Sequence, residues 1–390
     1  MEYLGIIISG TMGAGKSDIA RKLCEKSPHF QLCKAVTTRE QRQEGISEYD
    51  YVSEDIFTSH RNAGELLADI KYSEKYYVIL SSSVKAIIDS KKIPILVVAP
   101  KCVKTINEKM FGSNQHYLSF FIDSEENNLN DRLERRDGYN KSEANKLRRD
   151  DRAYAPEANY LLQNNGEIND VVELIFSIWE FRHTGGLLPH RIIQLMLKCG
   201  ILLKNADINK IQGASYDLTL GDDYCQNGAI DEITPYKPYI NIAPGDYAVV
   251  SSKEIANFPK DVAGRYDLTV SSFVKGLILS NGPQVDPGFS GALLCTLFNA
   301  SNTEISFGRE DHYATIEFIK LIEPTFPYKG QYQNKEAFWQ YIKEKSSPGL
   351  YAEIKKLQED INMLKQEKWY IKNLPLVLAV LAIIIAVIKS

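Results

Sequence analysis

The stretch Leu4–Ser17, LGIIISGTMGAGKS, decides the reading of the first half of the chain. Leu4–Ser9 is a short run rich in isoleucine, the pattern of a strand buried on both faces of a sheet. Gly10–Ser17 then satisfies G-x-x-x-x-G-K-[ST], and residues of helical period follow over Asp18–Glu25. Strand, glycine turn and helix in that order make a phosphate cradle. Gly10, Gly13 and Gly15 let backbone N–H groups turn inward around phosphate oxygens. Lys16 is placed to reach the β and γ phosphates, and the Ser17 hydroxyl to sit on Mg²⁺. ATP with Mg²⁺ is the expected cofactor.

Outward from that loop, apolar runs continue to alternate with helical stretches. Ile93–Ala99 (IPILVVA) reads as a second buried strand, and Val84–Ser90 and Asn127–Arg136 read as helices. Strand–helix alternation predicts an α/β domain with a parallel sheet over 1–180. Trp179–His190 (WEFRHTGGLLPH) carries a glycine pair and a proline and marks a boundary. Beyond it, over 186–345, short strands punctuated by PGDY, NFPKD, NGPQVDPG and NASN predict an all-β barrel. The tail changes again. Leu350, Ile354, Leu357, Ile361, Leu364 and Ile371 suggest a short coiled coil over 348–372. Leu374–Ile388 then has no charged or polar side chain and predicts a transmembrane tail anchor over 373–389. Lys365, Lys368 and Lys372 precede that run against Lys389 beyond it, so the large domains are expected to face the cytoplasm.

Composition narrows the function. The 390 residues contain 46 Lys+Arg and 50 Asp+Glu, a formal net charge of −4, so no basic field draws polyanions and nucleic acid is not an expected partner. Six scattered cysteines form no C-x-x-C pair. Free thiols in a reducing compartment and no zinc deaminase chemistry are therefore expected.

Over roughly 3–175 the chain resembles the guanylate-kinase branch of P-loop nucleoside monophosphate kinases. Thr37–Ser53, TTREQRQEGISEYDYVS, is similar to that family's T-T-R-x-x-R-x-x-E…D-Y-x-F-V-S. The resemblance implies that Arg39 and Arg42 grip an acceptor monophosphate, that Glu44 reads the base edge, and that Tyr49 contacts the phosphate or base. Guanidinium forks suit phosphate, and a carboxylate suits the N–H groups of a purine. Arg132, Arg135, Arg136, Arg148, Arg149 and Arg152 resemble the lid that closes on the transferring phosphoryl group, with Arg135 and Arg149 as its catalytic members. Three departures stand out. Arg42-Gln-Glu44 is one residue short of the family spacing, and Tyr76-Tyr-Val-Ile79 replaces Y-Y-G-T. Leu96-Val-Val-Ala99 replaces L-D-x-D, so the strand carboxylate expected near Mg²⁺ is missing.

From Leu188 to about Tyr332 the chain resembles the family shared by dCTP deaminases and dUTPases. Its motifs run in order: SYDLTLG with Asp217, PGDYAVV, VSSFVKGL, Val285-Asp-Pro-Gly-Phe-Ser-Gly291, and PYKGQYQ with Tyr332. The resemblance implies homotrimers with nucleotide sites between subunits. Asp217, Ser271, Ser272, Lys275 and Tyr332 would bind substrate, and Asp286 would position water. Deamination in this family needs a glutamate ten residues after that aspartate, where this chain has Thr296. A threonine hydroxyl has no accessible pKa for that proton shuttle, so deamination is not expected.

Together these features predict a membrane-anchored, homotrimeric enzyme of nucleotide metabolism. A monophosphate kinase domain would use Lys16, Arg39 and the lid arginines. A second domain would bind, and by Asp286 hydrolyse, a pyrimidine deoxynucleoside triphosphate. The alternative is a nucleotide sensor without turnover, coupled to a membrane effector as in bacterial phage defence.

Overall fold

The computed structural model describes residues 2–40, 49–72, 75–110, 115–134, 141–333, 335–345 and 350–389. The first domain is built on a parallel sheet in the order Phe30–Cys33, Ile93–Val97, Glu2–Gly10, Gln115–Asp123, Tyr160–Gln163. Glu2–Gly10 lies at its centre, where Ile6, Ile7 and Ile8 are fully buried, as an uninterrupted apolar run requires. The helix Lys16–Lys26 leaves directly from the end of this strand and turns Ile19, Ala20 and Leu23 inward. A smaller sheet in the order Tyr49–Tyr51, Ala35–Thr37, Lys75–Leu80, Leu66–Tyr72 stands beside it and carries the TTR segment.

The second domain opens with the short strand Gly186–Leu187 and the helix His190–Lys198 and is otherwise β-rich. Its main path joins Gly186–Leu187, His312–Lys320, Ser215–Gln226, Tyr247–Asn257, Ser290–Asn299 and Leu277–Ser280, with Val262–Leu268 pairing along His312–Lys320. Tyr239–Ile242 and Ile305–Gly308 form a separate pair.

One apolar core runs through both domains. Tyr160, Trp179 and Ile175 belong to the same buried cluster as Ile193, Met196, Phe258 and Phe318. Across this junction the Gln163 amide donates to the Cys199 carbonyl at 2.8 Å, and Lys260 Nζ donates to the Pro156 carbonyl at 2.8 Å. At its centre the Tyr160 hydroxyl donates to Asp261 Oδ2, which also meets Lys320 Nζ at 3.1 Å. Asp261 and Lys320 are both buried.

The tail differs from expectation. Leu350–Lys389 is one continuous helix with Pro375 inside it, with no break between the seam and the apolar run. Ile354, Leu357, Ile361 and Leu364 are all exposed along it, so a coiled coil is not shown. Among the described residues no helix is long and apolar enough to cross a membrane, and the expected transmembrane segment is not found. Most side chains over 376–389 lie outside the described residues.

Candidate active site

The glycine loop folds as a cradle because three residues take conformations that side chains oppose. Gly10 has φ 141°, and a Cβ there would lie 1.9 Å from the Ile122 carbonyl oxygen. Gly15 has φ 89° and caps the helix that begins at Lys16. The loop is also braced from outside. Asn164 Nδ2 donates to the Ala14 carbonyl at 2.9 Å, and Thr11 Oγ1 donates to Asp123 Oδ1 at 2.8 Å. Lys16 Nζ folds back onto the carbonyls of Gly10 and Thr11, at 2.9 and 2.8 Å.

The loop opens onto a cavity of ≈ 280 Å³. Gly10, Gly13, Gly15, Lys16 and Ser17 line it on the glycine-loop side, and Arg39, Tyr49 and Tyr77 line it from the smaller sheet. Arg39 Nη2 donates to the Tyr51 hydroxyl at 3.4 Å, and its guanidinium lies 5.2 Å from the Tyr49 ring centroid. Arg39 Nε is buried without a hydrogen-bond partner. Val97, Val98 and Ala99 complete the apolar lining where a carboxylate is missing. Arg42 and Glu44, and also Arg135 and Arg136, lie outside the described residues.

The remaining lid arginines do not line that cavity. Arg148 is fully buried and donates to Glu126 Oε2 at 2.7 Å, Asn130 Oδ1 at 2.8 Å and the Met12 carbonyl at 3.4 Å. Arg152 bridges Asp123 and Glu126 at 2.7 and 2.6 Å. Arg132 donates to the Asn164 carbonyl at 2.9 Å and the Gly13 carbonyl at 3.5 Å. Arg132 and Arg148 thus reach glycine-loop carbonyls and Arg152 holds Asp123 beside the loop, while Arg148 Nη2 is buried without a partner. Arg149 is exposed and does not line the cavity.

A second cavity of ≈ 160 Å³ lies in the β-rich domain, lined by Tyr266, Gln284, Asp286, Phe289, Tyr328 and Tyr332 among others. Gln284 Nε2 donates to Asp286 Oδ1 at 2.9 Å. The loop carrying Asp286 is pinned by the Gly288 amide on the Pro259 carbonyl and by pairing of Val285 with Gly264. Asp217 does not line this cavity. Its carboxylate accepts from Thr315 Oγ1 at 2.6 Å and Gln212 Nε2 at 2.9 Å. Ser271 and Ser272 sit on the short helix Val270–Phe273, with Lys275 just beyond, also away from it. Within one chain the structure thus joins Asp286 to Tyr332 and leaves Asp217, Ser271, Ser272 and Lys275 apart.

Sequence reasoning missed Asn164, Asp123 and Asp151. Asn164 lies in a plain N-N-G turn, and Asp151 lies among the arginines of RRDDR. Nothing local distinguishes them.

Comparison with known proteins follows the same division. The guanylate kinase family model matches residues 4–180. The guanylate kinase of Agrobacterium fabrum is 42% identical over 77 residues, 19% of this chain and 34% of that protein. The dCTP deaminase of Thermococcus kodakarensis is 36% identical over 137 residues, 35% of this chain and 87% of that protein. The dCTP deaminase of Pyrococcus abyssi is 33% identical over 135 residues, 34% of this chain and 86% of that protein.

Proposed function

Because the chain belongs to the dCTP deaminase family and carries a guanylate kinase domain ahead of that region, making it a protein of nucleotide metabolism, we propose that it joins two nucleotide reactions. The first is phosphoryl transfer from ATP to a nucleoside monophosphate. One observation carries this reading: Lys16 and Ser17 share a single cavity with Arg39 and Tyr49. A donor triphosphate on the glycine loop and an acceptor phosphate on Arg39 would then face each other across one space. Positioning of that kind supplies most of the catalysis of phosphoryl transfer.

The residues present fit ATP and Mg²⁺. Gly10, Gly13 and Gly15 all take positive φ, the backbone form in which loop N–H groups can turn toward phosphate oxygens. Lys16 must exchange the carbonyls of Gly10 and Thr11 for the β and γ phosphates. The Ser17 hydroxyl would hold Mg²⁺, which neutralises charge on the bridging oxygens when bound. Arg39 and Arg42 would fix the acceptor phosphate, whose oxygen attacks the γ phosphorus as the bond to the ADP oxygen breaks. Glu44 and Tyr49 would select the base, and Arg135 and Arg149 would approach the transferring group from the lid.

In the second domain, Asp286 and Tyr332 would bind a pyrimidine deoxynucleoside triphosphate. Ser271, Ser272, Lys275 and Asp217 would come from a neighbouring copy, which is why one chain holds them apart and why a homotrimer is the proposed assembly. Asp286 would orient a water onto the α phosphorus, giving the monophosphate and pyrophosphate. Thr296 offers no proton shuttle, so deamination is not part of the proposal. On its sequence pattern, the apolar run 374–388 is proposed as an anchor that leaves both domains in the cytoplasm. It predicts recovery of the full chain in the membrane fraction and release on deletion of 373–390.

Product mass spectrometry tests both reactions. With Mg²⁺ and ATP, one nucleoside monophosphate should yield its diphosphate, and Lys16→Ala should abolish this. With dUTP, wild type should yield dUMP and Asp286→Asn should not. Unchanged nucleotides with retained binding would instead favour a sensor.

A further inference from the structure

The first cavity lacks the strand carboxylate expected beside a nucleotide-bound cation, because Val97, Val98 and Ala99 line it there. Two carboxylates do line it, Asp18 and Asp151. Asp18 is exposed and paired with Arg21. Asp123, which contacts the loop, is already taken by Thr11, the Ser124 amide and Arg152. Asp151 stands in the last turn of the helix Lys141–Arg152 and is only partly exposed. Among the described residues its carboxylate has no hydrogen-bond or ion-pair partner, although its neighbour Arg152 is fully engaged with Asp123 and Glu126.

We propose that Asp151 is the metal-side positioning residue of this site, supplying from the lid-side helix the negative charge that the strand end lacks. The proposal rests on reading the cavity as an ATP site. A carboxylate taken from water without a partner is destabilised, and a cation brought in on the triphosphate relieves that cost. Mg²⁺ in phosphoryl-transfer sites is held through substrate phosphates and one or two carboxylates, so no larger protein cage is required. Among the described residues there is none. Burial pushes the Asp151 carboxyl up to about 6, with Lys16 pulling the other way and Asp150 and Asp123 adding to the rise. An uncompensated charge in the cavity behaves in this way.

The charge also sets a sign that a structural role would not. Without metal, Asp151 repels the triphosphate; with metal, it attracts the complex. ATP affinity of the full chain is therefore measured by calorimetry in MgCl₂ and in EDTA. Wild type should bind at least about tenfold more tightly with Mg²⁺. Asp151→Asn should lose most of that ratio while binding metal-free ATP as tightly as wild type or more tightly. Asp151→Glu should restore part of the ratio, and Asp150→Asn should leave it unchanged. An unchanged ratio in Asp151→Asn, or weakened binding in both buffers alike, overturns the assignment. If Asp151→Asn fails to fold, a wild-type ratio in Asp151→Ser overturns it instead. A wild-type chain that binds no ATP in either buffer overturns the ATP reading as well.

Discussion

Lys320→Met removes one half of an ion pair within the β-rich domain, buried where that domain meets Tyr160 of the first. Lys320 and Asp261 expose only 4% and 6% of their side chains, so neither charge can turn to water when its partner is lost. Asp261 would keep the Tyr160 hydroxyl, but its Oδ1 is already buried without a partner. Loss of one member of a buried pair costs about 3–5 kcal/mol, and the retained Tyr160 bond places this case near 3 kcal/mol. For a domain of this size that is a fall in Tm of about 6–12 °C. Scanning calorimetry reads it, and Lys320→Met/Asp261→Asn should recover most of the loss, because the stranded charge is then removed while the Tyr160 hydroxyl keeps an acceptor. A fall below about 2 °C in the single variant, or a double variant worse than the single, would refute the reading that this buried pair depends on both of its charges.

Three further outcomes follow from the same geometry. Asn164→Ala breaks the bond from Asn164 Nδ2 to the Ala14 carbonyl; Asn164 Oδ1 is itself unpartnered, so the stability cost should fall near the lower end of about 1–3 kcal/mol. Its ATP affinity should fall as the glycine loop loosens, which calorimetry would check. The Asp151 carboxyl, raised from 3.8 to about 6 in the folded chain, holds its proton more tightly there than when unfolded. Its contribution is therefore greatest below about pH 4 and is lost as pH rises to about 6, by roughly 1–2 kcal/mol after allowance for partial exposure; urea titrations of wild type and Asp151→Asn should differ by that slope. Of the six thiols only Cys24 is not buried, and burial pushes Cys33 and Cys102 up to about 11 and Cys199 to about 12. Burial raises the Cys24 thiol as well, so native protein should titrate with a thiol reagent at one site, more slowly than a free thiol, and unfolded protein at six.

What could be read in advance was local in sequence. Strand, glycine turn, Lys16 and Ser17 are contiguous, and backbone geometry alone brings them together. The helix reading over Asp18–Glu25 widens only to Lys16–Lys26. The arginines were not legible, because their roles depend on partners distant in the chain. Arg148 is used by Glu126 and Asn130, and Arg152 by Asp123 and Glu126. Asn164 reaches the loop across 150 residues, so no local spacing marks it. The motifs of the β-rich domain were equally plain, yet their order along the chain did not reveal that Asp286 and Asp217 occupy different surroundings. The seam of the tail shows the limit of periodicity: a heptad pattern specifies an apolar stripe and does not say what covers it.

Each chain is expected to contribute to two separate nucleotide sites, one on its glycine loop and one at Asp286 that a neighbouring copy completes. Equilibrium dialysis with differently labelled ATP and dUTP, both saturating, counts them directly. One equivalent of each per chain should be bound at once, with Lys16→Ala losing ATP alone and Asp286→Asn with Tyr332→Ala losing dUTP alone. Competition between the two nucleotides for a single equivalent would contradict it.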